Sequence, residues 1–106
     1  NCDDHLRNHG FILEPRGWVL SPAYDMNPDP FGDGLNLNIS GSDNAQDLDL
    51  AREVAKYFRV TDGRAKEIIA EVTGAVRGWH AVAAEVGIPR DEQDRLAPAF
   101  RVADMN

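Results

Sequence analysis

A single cysteine, Cys2, stands in 106 residues. No disulfide can therefore form within the chain, and a reducing compartment is expected. No apolar run approaches the ~18 residues that a membrane-spanning helix needs, and no stretch has the pattern of a secretory signal. A soluble, cytoplasmic protein with no membrane partner is expected. Basic residues are few: 11 Lys and Arg against 18 Asp and Glu leave a net charge of −7 at neutral pH. Direct nucleic-acid binding, which needs clustered Lys and Arg to neutralise phosphates, is excluded on that balance. A phosphate-bearing substrate would require a divalent cation to supply the missing positive charge. Internal repeats and low-complexity tracts are also lacking. What remains, 42% hydrophobic and 27% charged residues, is the composition of one folded domain spanning residues 1–106.

Proline and glycine are unevenly spread. Pro15, Pro22, Pro28 and Pro30 fall in residues 1–43 together with Gly10, Gly17, Gly32, Gly34 and Gly41, a density that forbids a long helix there. The apolar runs His9–Leu13 and Trp18–Leu20 flank Glu14-Pro15-Arg16-Gly17. Proline second and glycine fourth suit a type I turn, so a β-hairpin is expected. Residues 22–34 must loop, and Leu35-Asn36-Leu37-Asn38-Ile39 alternates like a half-buried strand.

Residues 44–106 read as helix. Leu48, Ala51, Val54, Ala55 and Phe58 form one apolar stripe, with Asp43, Asp47 and Asp49 near its start and Lys56 and Arg59 near its end, the polarity that the helix dipole favours. Thr61 and Asp62 are N-cap candidates for a longer helix, whose stripe runs from Ala65 through Ile68, Ile69, Val72, Val76 and Trp79 to Val86 without a break. Gly74 and Gly78 each weaken that helix by ~1 kcal/mol relative to alanine. Gly87 suits a C-cap, Pro89 the first position of a last helix, and Pro98 its stop. Trp79 belongs to the core side of the stripe, with His80 just off it.

The chemistry concentrates in the first 25 residues. Asp3 and Asn8 have the D-x-x-x-x-N spacing of a kinase catalytic loop, in which aspartate accepts the proton of the attacking hydroxyl and the asparagine carbonyl helps hold Mg²⁺. A second metal carboxylate should lie a hairpin away, and Asp25 follows Ser21-Pro22-Ala23-Tyr24. A turn centred on Pro15-Arg16 sets position 8 opposite roughly position 23. Paired strands lie ~4.8 Å apart, which brings Asn8 and Asp25 within reach of one ion.

Asn1-x-Asp3-Asp4-His5-x-x-Asn8-His9-Gly10-Phe11, followed by Leu20-Ser21-Pro22-Ala23-Tyr24-Asp25-x-Asn27-Pro28, resembles the C-terminal region of HipA-like toxin kinases. The helical remainder, through Leu96-Ala97-Pro98-Ala99-Phe100, is also similar to that family's C-terminal end. The resemblance implies an α+β, mainly α fold: the helical C-terminal lobe of a protein-kinase-like structure with a small N-terminal hairpin. It implies a serine/threonine protein kinase using ATP and Mg²⁺, the toxin of a type II toxin–antitoxin pair. A DNA-binding HipB-like antitoxin would be its partner, and an aminoacyl-tRNA synthetase a substrate whose phosphorylation arrests translation and favours persistence. By position, Asp3 resembles the catalytic base and Asn8 and Asp25 the two metal ligands. His5 stands where ordinary kinases carry a lysine near the transferred phosphate, which implies a catalytic and nucleotide-binding role. Cys2 departs from the family's usual threonine, and Met26-Asn27 replaces the Phe-Gly of the ordinary kinase motif. A Gly-rich phosphate loop and a lysine-bearing strand are absent from residues 1–106 and belong to such a kinase's N-terminal lobe. The chain is therefore expected to be the catalytic-lobe fragment of a longer kinase, with little activity alone.

Two other readings compete. Asp3, Asp4, His5, His9 and Asp25 together could ligate the metal of a hydrolase, with imidazole favouring Zn²⁺ or Mn²⁺. Residues 44–100 could serve as a non-catalytic helical interaction module. Neither accounts for the paired spacing of Asp3, Asn8 and Asp25.

Overall fold

The computed structural model describes residues 1–105. Its architecture is α+β and mainly α: one antiparallel hairpin near the N-terminus, then helices to the end. A short 3₁₀ turn, Leu6–Asn8, leads into β1 (Phe11–Glu14), which pairs with β2 (Gly17–Leu20). The register joins Phe11 to Leu20 and Glu14 to Gly17, so the turn is confined to Pro15-Arg16. Gly17 adopts φ +125°, a conformation in which an L side chain is strained. Six apolar side chains, Phe11, Ile12, Leu13, Trp18, Val19 and Leu20, leave both faces of the ribbon apolar and exposed.

Residues 35–39 form no strand. The alternation does set burial, since Leu35, Leu37 and Ile39 are half-buried while Asn36 and Asn38 are exposed. A ladder needs a neighbouring strand, whereas these backbone amides bond to scattered partners: Leu35 to Asn44, Asn36 to Cys2 and Ile39 to Asp43.

Helix α1 (Leu48–Val54) starts at Asp47, whose carboxylate accepts from Asp49 N at 2.7 Å. It tightens into a 3₁₀ turn, Ala55–Phe58, that Arg59 closes at φ 59°. Thr61 is the N-cap of α2 (Asp62–Arg77), its Oγ1 accepting from Arg64 N at 3.2 Å. The single helix expected from the stripe is broken at Gly78, whose φ −75° and ψ 0° end α2 and start α3 (Trp79–Glu85). Glycine carries the largest conformational freedom and the lowest helix propensity short of proline, so the stripe yields there. Gly87, at φ +84°, ends this stretch.

Pro89 lies one position earlier than expected, at the N-cap of α4 (Arg90–Leu96). Pro98 does not end the helical path. It sits in a 3₁₀ turn, Ala97–Phe100, after which α5 (Arg101–Asp104) resumes. A proline near the start of a turn has no N–H to lose, which permits this continuation.

The buried apolar residues are small. Ala55, Ala65, Ala83 and Ala103 form the apolar interior, and no large side chain among the described residues is fully buried. Trp79 is half-buried, stacked at 3.8 Å on His80 and 4.2 Å on Phe100. Its stripe neighbours Val72, Val82 and Val86 are more than half exposed. The radius of gyration is 15.6 Å, against ~13 Å for a compact domain of about 100 residues. Helix α5 packs on α2, with an Arg77–Asp104 ion pair at 3.8 Å along their contact.

Because Thr61 supplies the only side-chain cap at the start of the longest helix, Thr61→Ala should lower unfolding stability by about 1 kcal/mol, and Thr61→Ser should restore most of it. Urea unfolding midpoints of the three proteins check this.

Candidate active site

The 3₁₀ turn at Leu6–Asn8 closes with Asn8 N donating to His5 O at 2.9 Å and His9 N to Leu6 O at 3.3 Å. That tight turn carries the Asn8 side chain inward, where it is only 8% exposed. Its carboxamide is used at both ends. Oδ1 accepts from His5 N at 3.1 Å, and Nδ2 donates to Asp25 Oδ2 at 2.9 Å. The orientation follows from chemistry: a backbone N–H demands the amide oxygen, and a carboxylate demands the amide nitrogen.

Asp25 reaches Asn8 because the hairpin folds the chain back. The ladder extends past β1 and β2, with Ser21 N donating to Gly10 O at 2.8 Å, and Tyr24 Oη donates to Arg7 O at 2.8 Å. Asp25 itself sits at φ 56°, a left-handed conformation that aspartate tolerates better than most residues. Strained backbone of this kind clusters at functional positions.

Asp3 joins the same group through Asn1. The Asn1 carboxamide donates from Nδ2 to Asp25 O at 2.7 Å and accepts at Oδ1 from Asp3 N at 2.9 Å. One side chain thus bridges the backbones of both aspartates. The Asp3 carboxylate is exposed, with Oδ1 accepting from Asn36 Nδ2 at 2.8 Å. Three of the four residues singled out from sequence, Asp3, Asn8 and Asp25, are therefore linked. His5 joins them through its backbone N–H and C=O. Its ring Nδ1 is buried without a hydrogen-bond partner among the described residues.

The remaining polar groups have partners of their own. Asp4 Oδ2 pairs with His9 Nε2 at 3.0 Å, both side chains being partly exposed. Cys2 Sγ accepts from Gln46 Nε2 at 2.8 Å, and a side chain at Gly32 would collide with Cys2. The five ligands that a hydrolase reading requires are distributed among separate partners, and among the described residues no three His, Cys, Asp or Glu side chains converge.

A carboxylate and a carboxamide oxygen are donor types that Mg²⁺ accepts. The Asn8 oxygen, however, faces His5 N while its nitrogen occupies Asp25 Oδ2, so one Mg²⁺ held by both residues requires the carboxamide to turn. This hard cation typically takes one or two carboxylates and completes its shell with phosphate oxygens and water. Asp25 is exposed, and its second oxygen accepts no hydrogen bond among the described residues. Asn8 Oδ1 keeps one lone pair beyond that used by His5 N–H. The juxtaposition differs in one respect from a simple pair of ligands, since it is the amide nitrogen of Asn8 that faces Asp25.

Comparison with known families matches residues 1–79 to the HipA-like C-terminal domain. The chain belongs to that family. No curated protein and no solved structure matches it. The HipA-like stretch takes in the hairpin, the linked aspartates and α1 and α2, and stops at Trp79. The expected likeness over the whole chain is thus borne by residues 1–79. No helix among the described residues is long and apolar enough to cross a membrane.

Two residues that tie this group together, Asn1 and Asn36, stand outside the candidate residues that spacing singles out. Asn1 was legible only as part of a motif. Asn36 lies 33 positions from Asp3 in sequence, and no local pattern connects them.

Asp25→Asn preserves an acceptor for Asn8 Nδ2 and a residue tolerant of positive φ, so the fold should lose less than about 0.5 kcal/mol. Asp25→Ala strands a buried amide donor in a strained backbone and should cost about 1–3 kcal/mol. Denaturant unfolding of the two variants separates these outcomes.

Proposed function

We propose that this chain is the catalytic-lobe portion of a HipA-like serine/threonine protein kinase, the toxin of a toxin–antitoxin pair. The observation that carries the reading is the three-way link in which Asn8 binds the Asp25 carboxylate at 2.9 Å while Asn1 ties Asp25 O to Asp3 N. A carboxylate able to accept a proton, a second carboxylate and a carboxamide at kinase spacing then belong to one hydrogen-bonded group.

In this reading Asp3 accepts the proton of a substrate hydroxyl, and its exposed carboxylate is accessible to a protein side chain. General-base assistance of this kind contributes roughly 10²–10⁴-fold to rate. Asn8 and Asp25 would hold Mg²⁺ of the ATP complex, which when bound supplies positive charge at the phosphates. With a net charge of −7, the chain needs that cation before it can accept a nucleotide. His5, whose backbone N–H fixes the Asn8 carboxamide, would keep the loop closed, and its ring would supply a contact to the transferred phosphate. The HipB-like antitoxin and the aminoacyl-tRNA synthetase substrate follow from the family resemblance. The phosphate-loop and lysine contacts are assigned to a nucleotide-binding lobe that would work with this one.

In the full-length protein, Asp3→Ala and Asp25→Asn should each lower phosphate transfer from Mg-ATP to a protein hydroxyl by roughly 10²-fold or more. Chelation of Mg²⁺ should abolish transfer, and added Mg²⁺ should restore it. The measurement is radiolabelled phosphate incorporation, with aminoacyl-tRNA synthetases as trial substrates. Unchanged incorporation in both variants would overturn the kinase reading.

A further inference from the structure

We infer that Asn36 is a positioning residue that sets the plane of the Asp3 carboxylate for proton transfer; the inference rests on the proposed role of Asp3 as base. Torsion about the last bond of an aspartate side chain is soft and broad, so rotamer preference alone does not orient its two oxygens. Asp3 is exposed, and the one side-chain donor that reaches its carboxylate among the described residues is Asn36 Nδ2, at 2.8 Å from Oδ1. That bond leaves the other oxygen to accept a proton from substrate.

Asn36 is itself anchored. Its backbone N–H donates to Cys2 O at 3.1 Å, directly beside Asp3, and the preceding residue is clasped on both sides. Leu35 N donates to Asn44 O at 2.8 Å, while Asn44 Nδ2 donates to Leu35 O at 2.6 Å. Gly34, at φ +81°, permits the approach, since a Cβ there would press on the Asn44 side chain at 3.1 Å. A carboxamide on a pinned backbone can aim a carboxylate, whereas one on a free loop cannot. Misplacement of a reacting group by a fraction of an ångström slows the chemical step without changing how nucleotide binds.

Among the described residues Asn36 makes no hydrogen bond to Asn8 or Asp25, so its loss should affect kcat and leave the ATP constant alone. In the full-length kinase, Asn36→Ala should lower kcat on the order of tenfold to a hundredfold, as expected for a hydrogen bond to a charged group, with KM for ATP within about twofold. Asn36→Gln keeps a donor on a longer arm and should recover part of the rate. Asn36→Asp has the same shape but sets a carboxylate against Asp3, and should be slower than Asn36→Ala. The backbone bond to Cys2 survives in all three, and thermal unfolding of each is measured beside the kinetics. The order wild type, Gln, Ala, Asp in kcat at constant KM for ATP supports the inference. Unchanged kcat in Asn36→Ala, kcat and KM changing together, or a rate loss that follows unfolding temperature would overturn it. Asp3→Ala is run in parallel. If Asp3→Ala is inactive while Asn36→Ala is normal, only the positioning role fails. If Asp3→Ala retains full activity, the kinase reading fails first.

Discussion

The Asn8 carboxamide is the interaction on which the rest of the site depends. It is buried, and both of its polar atoms are engaged, one by the His5 amide and one by Asp25. A buried amide stripped of either partner would carry an unmet donor or acceptor, at a cost of about 1–3 kcal/mol. That penalty keeps two segments together that are separated by the whole hairpin. The hairpin fixes how far the chain travels before returning, and the amide fixes which residue it meets. The left-handed backbone of Asp25 follows from this demand: the chain turns sharply there so that the carboxylate reaches Asn8 while the carbonyl meets Asn1.

The same loop is braced from the far end of the molecule. Gln46 donates to Cys2 Sγ and accepts from Arg101, and Arg101 also donates to Pro98 O. Helix α5 therefore reaches the residue next to Asp3 through one glutamine, although residues beyond 79 lie outside the family match. With an interior made of alanines, packing alone supplies little rigidity. Hydrogen bonds across sequence distance do that work instead. This also explains the missing strand at 35–39, whose amides tie the loop to Cys2, Asn44 and Asp43 rather than forming a ladder.

Local features were readable in the sequence where one signal acted without competition. The turn at Pro15-Arg16, the Thr61 cap and the Gly87 stop each follow from residue chemistry within a few positions, and that turn in its place returns residue 25 to residue 8. The helix break at Gly78 shows a conflict between signals: the apolar stripe argues for continuity and the glycine against it, and the backbone follows the glycine. The alternation at 35–39 carried burial correctly and pairing incorrectly, because periodicity describes side chains and cannot reveal whether a neighbouring strand exists. Asn36 was not readable at all. Its contact with Asp3 depends on the path of the whole loop between them, and an asparagine in a polar stretch has no distinguishing local pattern.

The kinds of partners given to the carboxylates differ between the two parts of the molecule. On the helices Asp49, Asp91, Asp94 and Asp104 pair with Arg52, Arg95, Arg90 and Arg77. At the site the Asp3 carboxylate is held by Asn36 and the Asp25 carboxylate by Asn8, while Asn1 holds the Asp25 backbone carbonyl. A guanidinium would orient a carboxylate equally well, but it would cancel the charge and compete with any cation for the same oxygens. A neutral carboxamide orients without cancelling. Built from asparagines, the site keeps its aspartates both directed and negatively charged, the condition under which Asp25 can attract a divalent cation and Asp3 can accept a proton. In an acidic chain with few basic residues, that choice of amides over arginines links the overall composition to the chemistry proposed for this surface.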